Sequence, residues 1–161
     1  MSPSIATART VDRTELLEFL RPRHRGMVAT MRRDGRPQLS PVTCGVDVDG
    51  RIVVSTYPGR AKTENARRDG RVSIVVQSDD WSGEYVQVDG SAEVLDMPEA
   101  LDGLVEYFRC ISGEHPNWDE YRDAMRLQAK SLLRITIERW GPIATGGFPA
   151  DVAARLEAKG D

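Results

Sequence analysis

A cluster of cationic side chains is the feature of this sequence best suited to chemistry. Five arginines and lysines fall within twelve residues, from Arg60 to Arg71, in a 161-residue chain whose formal net charge is −3. They follow an apolar run, Ile52–Thr56, that is typical of a strand. A short helix that begins directly after a strand brings backbone N–H groups, the positive end of its dipole and cationic side chains to one place. The pattern therefore indicates a phosphate-binding site, and the alternative is a solvated basic helix surface.

Strands joined by tight turns surround this basic segment. Residues 27–31 and 37–42 flank an Asp-Gly turn and are predicted to form a hairpin. The second of these strands contains two prolines, so we expect it to be an edge strand or to carry a bulge. Residues 84–94 alternate between apolar and polar side chains, and Gly90 within them is expected to mark a bulge or a close backbone approach.

Helices are predicted at only a few places outside these hairpins. Asp12 and Glu15 fit a capping box, Asn117 is expected to begin a helix with Glu120, and the spacing of apolar residues after Pro98 is helical. The chain therefore predicts a mainly β fold, a closed antiparallel β-barrel of about six strands with peripheral helices, and not a doubly wound parallel sheet.

The expected organisation is one barrel domain with short ends. We expect a disordered N-terminal tail over residues 1–11, the barrel domain over residues 12–148 and a C-terminal helix and tail over residues 149–161. Composition narrows the function. The chain has 22 basic and 25 acidic residues, which argues against a general nucleic-acid binder. No apolar run is long enough to span a membrane and no secretory signal is evident at the start, so a cytoplasmic protein is expected.

Side chains that could catalyse a reaction by themselves are not apparent. The sequence contains no G-x-G-x-x-G, P-loop or G-x-S-x-G motif. His24 and His115 have no motif partner, and His115 is expected in a loop. Cys44 and Cys110 lack the spacing of a metal site or a disulfide framework and are expected to be small hydrophobic residues. No metal site and no catalytic residue are predicted, which suggests that a bound cofactor supplies the chemistry.

The order of the motifs resembles a known superfamily. Four segments carry the resemblance: Asp34–Ser40 (D-G-R-P-Q-L-S), residues 60–69 beginning R-A-K-T, Val88–Ala92 and Trp118–Arg122. The chain from about Leu16 to Pro142 is similar to the pyridoxamine 5′-phosphate oxidase-like (PPOX class) flavin proteins, which have the FMN-binding split β-barrel fold. Within them it resembles most the actinobacterial reductases that use the deazaflavin coenzyme F(420).

This resemblance implies a six-stranded antiparallel split barrel and a homodimer with the cofactor at the subunit interface. It implies three groups of cofactor-binding residues: a strand along the tricyclic ring, a phosphate-binding turn and an approaching loop. The strand along the ring contributes Pro37, Gln38, Ser40 and Val42. The phosphate-binding turn contributes Ser55, Arg60, Ala61, Lys62 and Thr63. The approaching loop contributes Trp81 and Ser82. Trp140 would reach the site of a neighbouring subunit.

The function that the resemblance implies is transfer of a hydride from reduced F(420) to an unsaturated small-molecule acceptor. Lys62 directly after Ala61, without the longer basic pattern of the flavin oxidases, favours F(420) over FMN. Two alternatives stay open: an F(420)-binding carrier protein without turnover, and an FMN-dependent enzyme similar to pyridoxamine 5′-phosphate oxidase. The acceptor and the proton donor are not predicted.

Overall fold

A six-stranded antiparallel barrel forms the centre of the molecule. The computed structural model describes residues 2–160. In that part of the chain the strands are β1 (Thr7–Arg9), β2 (Arg25–Met31), β3 (Pro37–Val46), β4 (Ile52–Thr56), β5 (Arg71–Gln77), β6 (Tyr85–Leu95), β7 (Ser131–Trp140) and β8 (Ile143–Thr145). The helices are α1 (Arg13–Leu20), α2 (Ala61–Arg68), α3 (Leu101–Ser112), α4 (Trp118–Leu127) and α5 (Ala150–Glu157). Strands β2, β3, β4, β7, β6 and β5 close the barrel in that order, and β8 and β1 extend from β6.

Alternating side chains explain why these segments are strands around one core. Val28, Ile74 and Val88 face one another across β2, β5 and β6 and are buried. Such cross-strand apolar pairs are the unit that stabilises a sheet. The predicted irregularity at Gly90 is confirmed, because the register between β6 and β7 shifts between Asp89 and Gly90. A β-carbon at Gly90 would overlap the carbonyl oxygen of Thr136, so β6 and β7 approach closely there.

The helices pack on the outside of the barrel. The predicted capping box is present at α1, where the Asp12 carboxylate accepts from the backbone N–H of Glu15 at 2.9 Å. Asn117 caps α4 as expected, accepting from the N–H of Glu120 at 3.1 Å. Helices α3 and α4 cover a second apolar cluster that includes Leu104 and Leu132. Across residues 2–160, we found no helix that combines the length and apolar character needed to cross a membrane.

The N-terminal segment is more ordered than expected. Thr7–Arg9 pairs with β8, and the side-chain hydroxyls of Thr7 and Thr145 are 2.8 Å apart. Val11 is buried, and its carbonyl oxygen accepts from the indole N–H of Trp140 at 2.9 Å. These residues belong to the segment 1–11 that was expected to be disordered; Thr7–Arg9 find hydrogen-bond partners on the edge of β8, and Val11 finds one on Trp140 of β7. Met1 and Asp161, which belong to the two predicted tails, lie outside the described residues.

Strand β3 separates from β4 partway along its length. Residues 37–43 of β3 pair with β2 on one side, whereas the pairing of β3 with β4 covers only Cys44, Gly45 and Val46. The expectation of an edge strand is therefore confirmed for the first part of β3. Beyond the last shared pair the two strands diverge, and this divergence opens a groove in the barrel wall.

Candidate functional site

The groove between β3 and β4 has two adjoining parts, which together we call the split groove. Its cationic part has a volume of about 510 Å³ and its aromatic part about 410 Å³. Both parts are lined by Pro41, Ser55, Lys62 and Lys130. The cationic part adds Gln38, Ser40, Thr56, Tyr57, Arg60 and Ala61, and the aromatic part adds Val42, Thr43, Tyr107, Phe108, Tyr121, Met125 and Gln128. Among residues 2–160, no aspartate or glutamate side chain lines either part.

The first turn of α2 borders the cationic part and has free backbone donors. Thr63 is buried, its hydroxyl donates to the carbonyl oxygen of Tyr57 at 2.9 Å, and it lies 3.0 Å from the Thr56 hydroxyl. These bonds fix the turn between β4 and α2. Arg60, the N-cap residue, forms no side-chain capping bond. Within residues 2–160 the N–H groups of Ala61 and Lys62 have no hydrogen-bond acceptor, as expected for the first residues of a helix.

Three cations meet in the split groove without an anionic partner. Among the described residues, no carboxylate lies within 4.0 Å of the charged groups of Arg60, Lys62 or Lys130. Burial lowers the pKa of Lys62 below its usual value, and the charges of Arg60 and Lys130 lower that pKa further. An anion in the groove would reverse this effect, because an opposite charge favours the protonated lysine.

Other cations of the same segment already have partners. Arg67 pairs with Asp96 and Arg71 pairs with Asp69, each at 2.7 Å. The basic segment therefore has two parts. The cations at the start of the helix are free to bind a ligand, whereas Arg67 and Arg71 form ion pairs within the protein. The solvated-surface interpretation describes Arg71 well and does not describe Lys62, which is half-buried.

Lys130 is the cation among these lining residues that sequence analysis missed. Its ammonium group lies 3.9 Å from the centroid of the Tyr57 ring, and the Arg60 guanidinium carbon lies 5.8 Å from the same centroid. Both are within the range of cation–π attraction. Lys130 reaches this position because Ser131, the first residue of β7, pairs with Thr56, the last residue of β4. Recognising it from sequence would have required that pairing.

The aromatic part of the groove is uncharged apart from the shared lysines. The Tyr107 hydroxyl donates to the carbonyl oxygen of Thr43 at 3.0 Å, and the Tyr121 hydroxyl donates to that of Leu104 at 2.9 Å. Burial raises the pKa of each tyrosine to about 12. Both phenols therefore remain protonated at neutral pH, and this wall offers apolar rings and a thioether to a ligand.

The site residues predicted from the sequence lie partly in the split groove and partly outside it. The structure brings seven of them to the split groove: Gln38, Ser40, Val42, Ser55, Arg60, Ala61 and Lys62. Gln38 and Ser40 also hydrogen-bond to each other, with the amide nitrogen 2.9 Å from the hydroxyl. Pro37, at the exposed outer end of β3, and the buried side chain of Thr63 line neither part.

The predicted loop residues lie elsewhere in the same chain. Trp81 and Ser82 line a different depression, together with Gln77 and Tyr85. Trp81 is 86% exposed. Trp140 lines a third depression beside Arg139. One chain alone therefore does not bring these three residues to the split groove. His115 lies in a loop as expected, packed edge-on against Phe108 at 5.1 Å between ring centroids. Within the part that the structure describes, no group of three or more metal-ligating side chains is found.

The barrel and its groove define a split-barrel protein of the flavin-binding type. Residues 13–144 match the family model for pyridoxamine 5′-phosphate oxidase. This match covers most of the chain, and the protein therefore belongs to the pyridoxamine 5′-phosphate oxidase family, which has an oxidoreductase-type fold.

Solved structures agree with this fold. A conserved hypothetical protein from Mycobacterium tuberculosis is 26% identical with a TM-score of 0.69, over 84% of this chain and 86% of that one. A structure named F(420) reductase is 20% identical with a TM-score of 0.57, over 77% and 94% of the two chains. A FAD-binding protein from Mesorhizobium loti is also 20% identical with a TM-score of 0.57, over 88% and 99%.

Proposed function

We propose that this protein is an oxidoreductase that binds reduced F(420) in the split groove and reduces an unsaturated organic acceptor. The observation that supports this most strongly is the meeting of Arg60, Lys62 and Lys130, without a carboxylate partner, beside the free N–H groups of Ala61 and Lys62. These groups suit the phosphate of a cofactor side chain, which accepts charge-assisted hydrogen bonds from cations and from a helix start.

Each part of the groove has a separate task in this proposal. The cationic part would hold the phosphate-bearing chain of the cofactor. Gln38, Ser40 and Val42 on β3 would lie along the ring of the cofactor. When bound, the reduced deazaflavin supplies the hydride. The half-buried rings of Tyr107 and Phe108 and the buried ring of Tyr121 narrow the other part and limit the access of water. Both tyrosine hydroxyls already donate to backbone carbonyls, and we propose that solvent supplies the proton that follows the hydride.

The number of free cations favours F(420) over FMN. F(420) carries a phosphate and a polyglutamate tail, whereas FMN carries its phosphate alone. Two lysines and an arginine without carboxylate partners can bind a phosphate and the carboxylates of a tail at the same time. An acidic protein that concentrates three cations here is suited to a ligand with several negative charges.

A second subunit would complete the site. Trp81, Ser82 and Trp140 lie outside the split groove of their own chain, so we propose that they approach the cofactor of a partner subunit in a homodimer. Leu39 and Met27 are 58% and 41% exposed on neighbouring strands β3 and β2 and supply an apolar surface for this contact. Sedimentation should show a dimer at micromolar concentration. A stable monomer that still binds cofactor would contradict this arrangement.

Titration of the purified protein with F(420) and with FMN tests the proposed function. F(420) should quench or shift fluorescence at lower concentration than FMN, and reduced F(420) should be oxidised when unsaturated acceptors are added. Tight F(420) binding without oxidation by any acceptor would favour the carrier protein. Tighter binding of FMN, with oxygen consumption, would favour the FMN-dependent enzyme.

A further inference from the structure

One carboxylate outside the split groove forms hydrogen bonds to both walls of the groove, and these walls carry the cations of the groove. Asp96, the residue after β6, accepts two hydrogen bonds from the Arg67 guanidinium, each at 2.7 Å. It also accepts a bond from the Ser131 hydroxyl at 2.5 Å. These bonds lower the pKa of Asp96, with the Arg67 bond as the larger cause. Asp96 is therefore ionised at neutral pH and holds both partners at once.

The two partners of Asp96 belong to different walls of the groove. Arg67 lies in the last turn of α2, and Lys62 lies in the first turn of the same eight-residue helix. Ser131 is fully buried at the start of β7 and directly follows Lys130. A rigid helix on one side and a strand end on the other are thus connected through a single side chain.

We infer that Asp96 is a positioning residue that holds Lys130 opposite Arg60 and Lys62 and so sets the affinity of the groove for phosphate groups. This inference rests on the proposed function, since it concerns the same anion site. Asp96 itself does not line the groove. Its effect is transmitted through Arg67 to α2 and through Ser131 to Lys130.

The sign of one substitution separates positioning from simple electrostatics. The negative charge of Asp96 repels an anion in the groove, so loss of that charge alone would tighten anion binding. Asp96→Asn keeps the size of the side chain and removes the charge and the second acceptor oxygen. If Asp96 positions the two walls, the same substitution weakens anion binding instead.

The experiment measures the Kd of F(420), FMN and inorganic pyrophosphate for the full-length protein and its variants by calorimetry or fluorescence. Pyrophosphate tests the anion site without any cofactor ring. Asp96→Asn should weaken F(420) and pyrophosphate binding roughly five- to tenfold, which lies within the range of coupling between residues of one network. Glu93→Gln is the matched control, because Glu93 also pairs with an arginine, Arg134, at 2.6 Å between β6 and β7 and does not line the groove.

A double-mutant cycle shows whether the effect passes through Lys130. In a Lys130→Ala background, Asp96→Asn should lose most of its effect on affinity, whereas a general loss of structure would weaken binding equally in both backgrounds. Ser131→Ala removes only the bond on the Lys130 side and keeps the Arg67 pair, so it serves if Asp96→Asn does not fold. It should weaken binding about threefold and show the same dependence on Lys130.

The outcomes distinguish this inference from the proposed function. If the wild type binds F(420) or pyrophosphate, and Asp96→Asn and Ser131→Ala leave that binding unchanged or tighten it, the positioning role alone is overturned. An undiminished effect in the Lys130→Ala background overturns it as well. A wild type that binds none of the three ligands overturns the anion site, and with it both proposals.

Discussion

The ammonium group of Lys130 lies 3.9 Å from the centroid of the Tyr57 ring, although the two residues are far apart in the chain. Tyr57 follows β4 and Lys130 precedes β7, so the antiparallel pairing of these strands brings them together. The Tyr57 hydroxyl donates to the side-chain oxygen of Gln128 at 3.2 Å, which holds the ring near Lys130. The Arg60 guanidinium lies 5.8 Å from the same centroid, so one ring attracts two cations that line the groove.

Replacement of Tyr57 tests the role of its ring. Tyr57→Leu should weaken F(420) binding by about 0.5–1 kcal/mol, a two- to fivefold increase in Kd, because Lys130 loses its cation–π contact. Tyr57→Phe keeps the ring and loses the bond to Gln128, so its Kd should stay closer to that of the wild type. Equal Kd values for the leucine and phenylalanine variants would show that the ring does not hold Lys130.

The cations of the groove should contribute directly to affinity. Lys62→Ala and Arg60→Ala should each weaken F(420) binding by about 1.5–3 kcal/mol, one to two decades in Kd, because each removes a charge-assisted hydrogen bond. Arg71→Ala is the control from the same segment, since Arg71 pairs with Asp69 and is 80% exposed at its side chain. Added salt should weaken wild-type binding more than binding by either groove variant. Unchanged affinity in both variants would show that the start of α2 is a solvated basic surface and not a ligand-binding site.

Lys62→Ala should not destabilise the fold. The pKa of Lys62 is lowered in the folded protein by burial and by its cationic neighbours. A lysine with a lowered folded pKa opposes folding while it is protonated, and this penalty diminishes as the pH rises through that pKa. At neutral pH the melting temperature of Lys62→Ala should therefore equal or exceed that of the wild type. A clear fall in melting temperature would show that Lys62 supports the fold.

Local patterns in the sequence predicted most of the elements. The strand Ile52–Thr56, the capping box at Asp12 and the N-cap at Asn117 follow from neighbouring residues, which alone determine alternation and capping. The edge character of β3 followed from its prolines, which cannot donate to a second strand. The short strand Thr7–Arg9 was missed because its partner, β8, lies near the other end of the chain.

The candidate site was predictable only where it is continuous in sequence. Arg60, Ala61 and Lys62 form one motif, and the structure places all three in the groove. Lys130 has no motif and enters the groove through the pairing of β7 with β4. Thr63 belongs to the motif, but its hydroxyl bonds to the backbone of Tyr57, a use that the motif alone does not reveal.

Gly90 should tolerate no side chain. A β-carbon there would overlap the carbonyl oxygen of Thr136 and contact the Ile135 side chain at 2.9 Å. Gly90→Ala should lower the free energy of unfolding by about 1–3 kcal/mol, because β6 and β7 must move apart. Gly141→Ala, where a β-carbon would meet nothing within 4 Å, should change it by less than about 0.5 kcal/mol. Equal melting temperatures for the two variants would contradict the close approach of the strands.

Asp96 should make stability depend on acid pH. Its folded pKa is lowered, mainly by the bond from Arg67, and the unfolded value is about 3.9. Its contribution is therefore complete above about pH 4 and is lost as the pH falls through the lower folded pKa. The difference in melting temperature between wild type and Asp96→Asn should be largest at neutral pH and shrink below about pH 4. A difference that stays constant down to about pH 2 would show that the charge of Asp96 does not stabilise the fold.

The turn before Lys130 should favour glycine over the alanine that it contains. Ala129 has φ = 50°, while the N–H groups of Ala129 and Lys130 donate to the carbonyl oxygens of Arg126 and Met125 at 3.0 and 3.2 Å. These bonds form a Schellman motif, in which glycine usually takes the left-handed position. An L-residue pays about 1–2 kcal/mol for that conformation.

Ala129→Gly should therefore leave the free energy of unfolding unchanged or raise it by up to about 1 kcal/mol, because relief of the left-handed strain outweighs the greater entropy of glycine in the unfolded chain. Ala124→Gly, inside the same helix α4, is the matched control and should cost about 1 kcal/mol. Thermal or denaturant unfolding of both variants measures the comparison. If both lose the same stability, Ala129 does not occupy the left-handed position, and the turn that presents Lys130 to the groove differs from the one described.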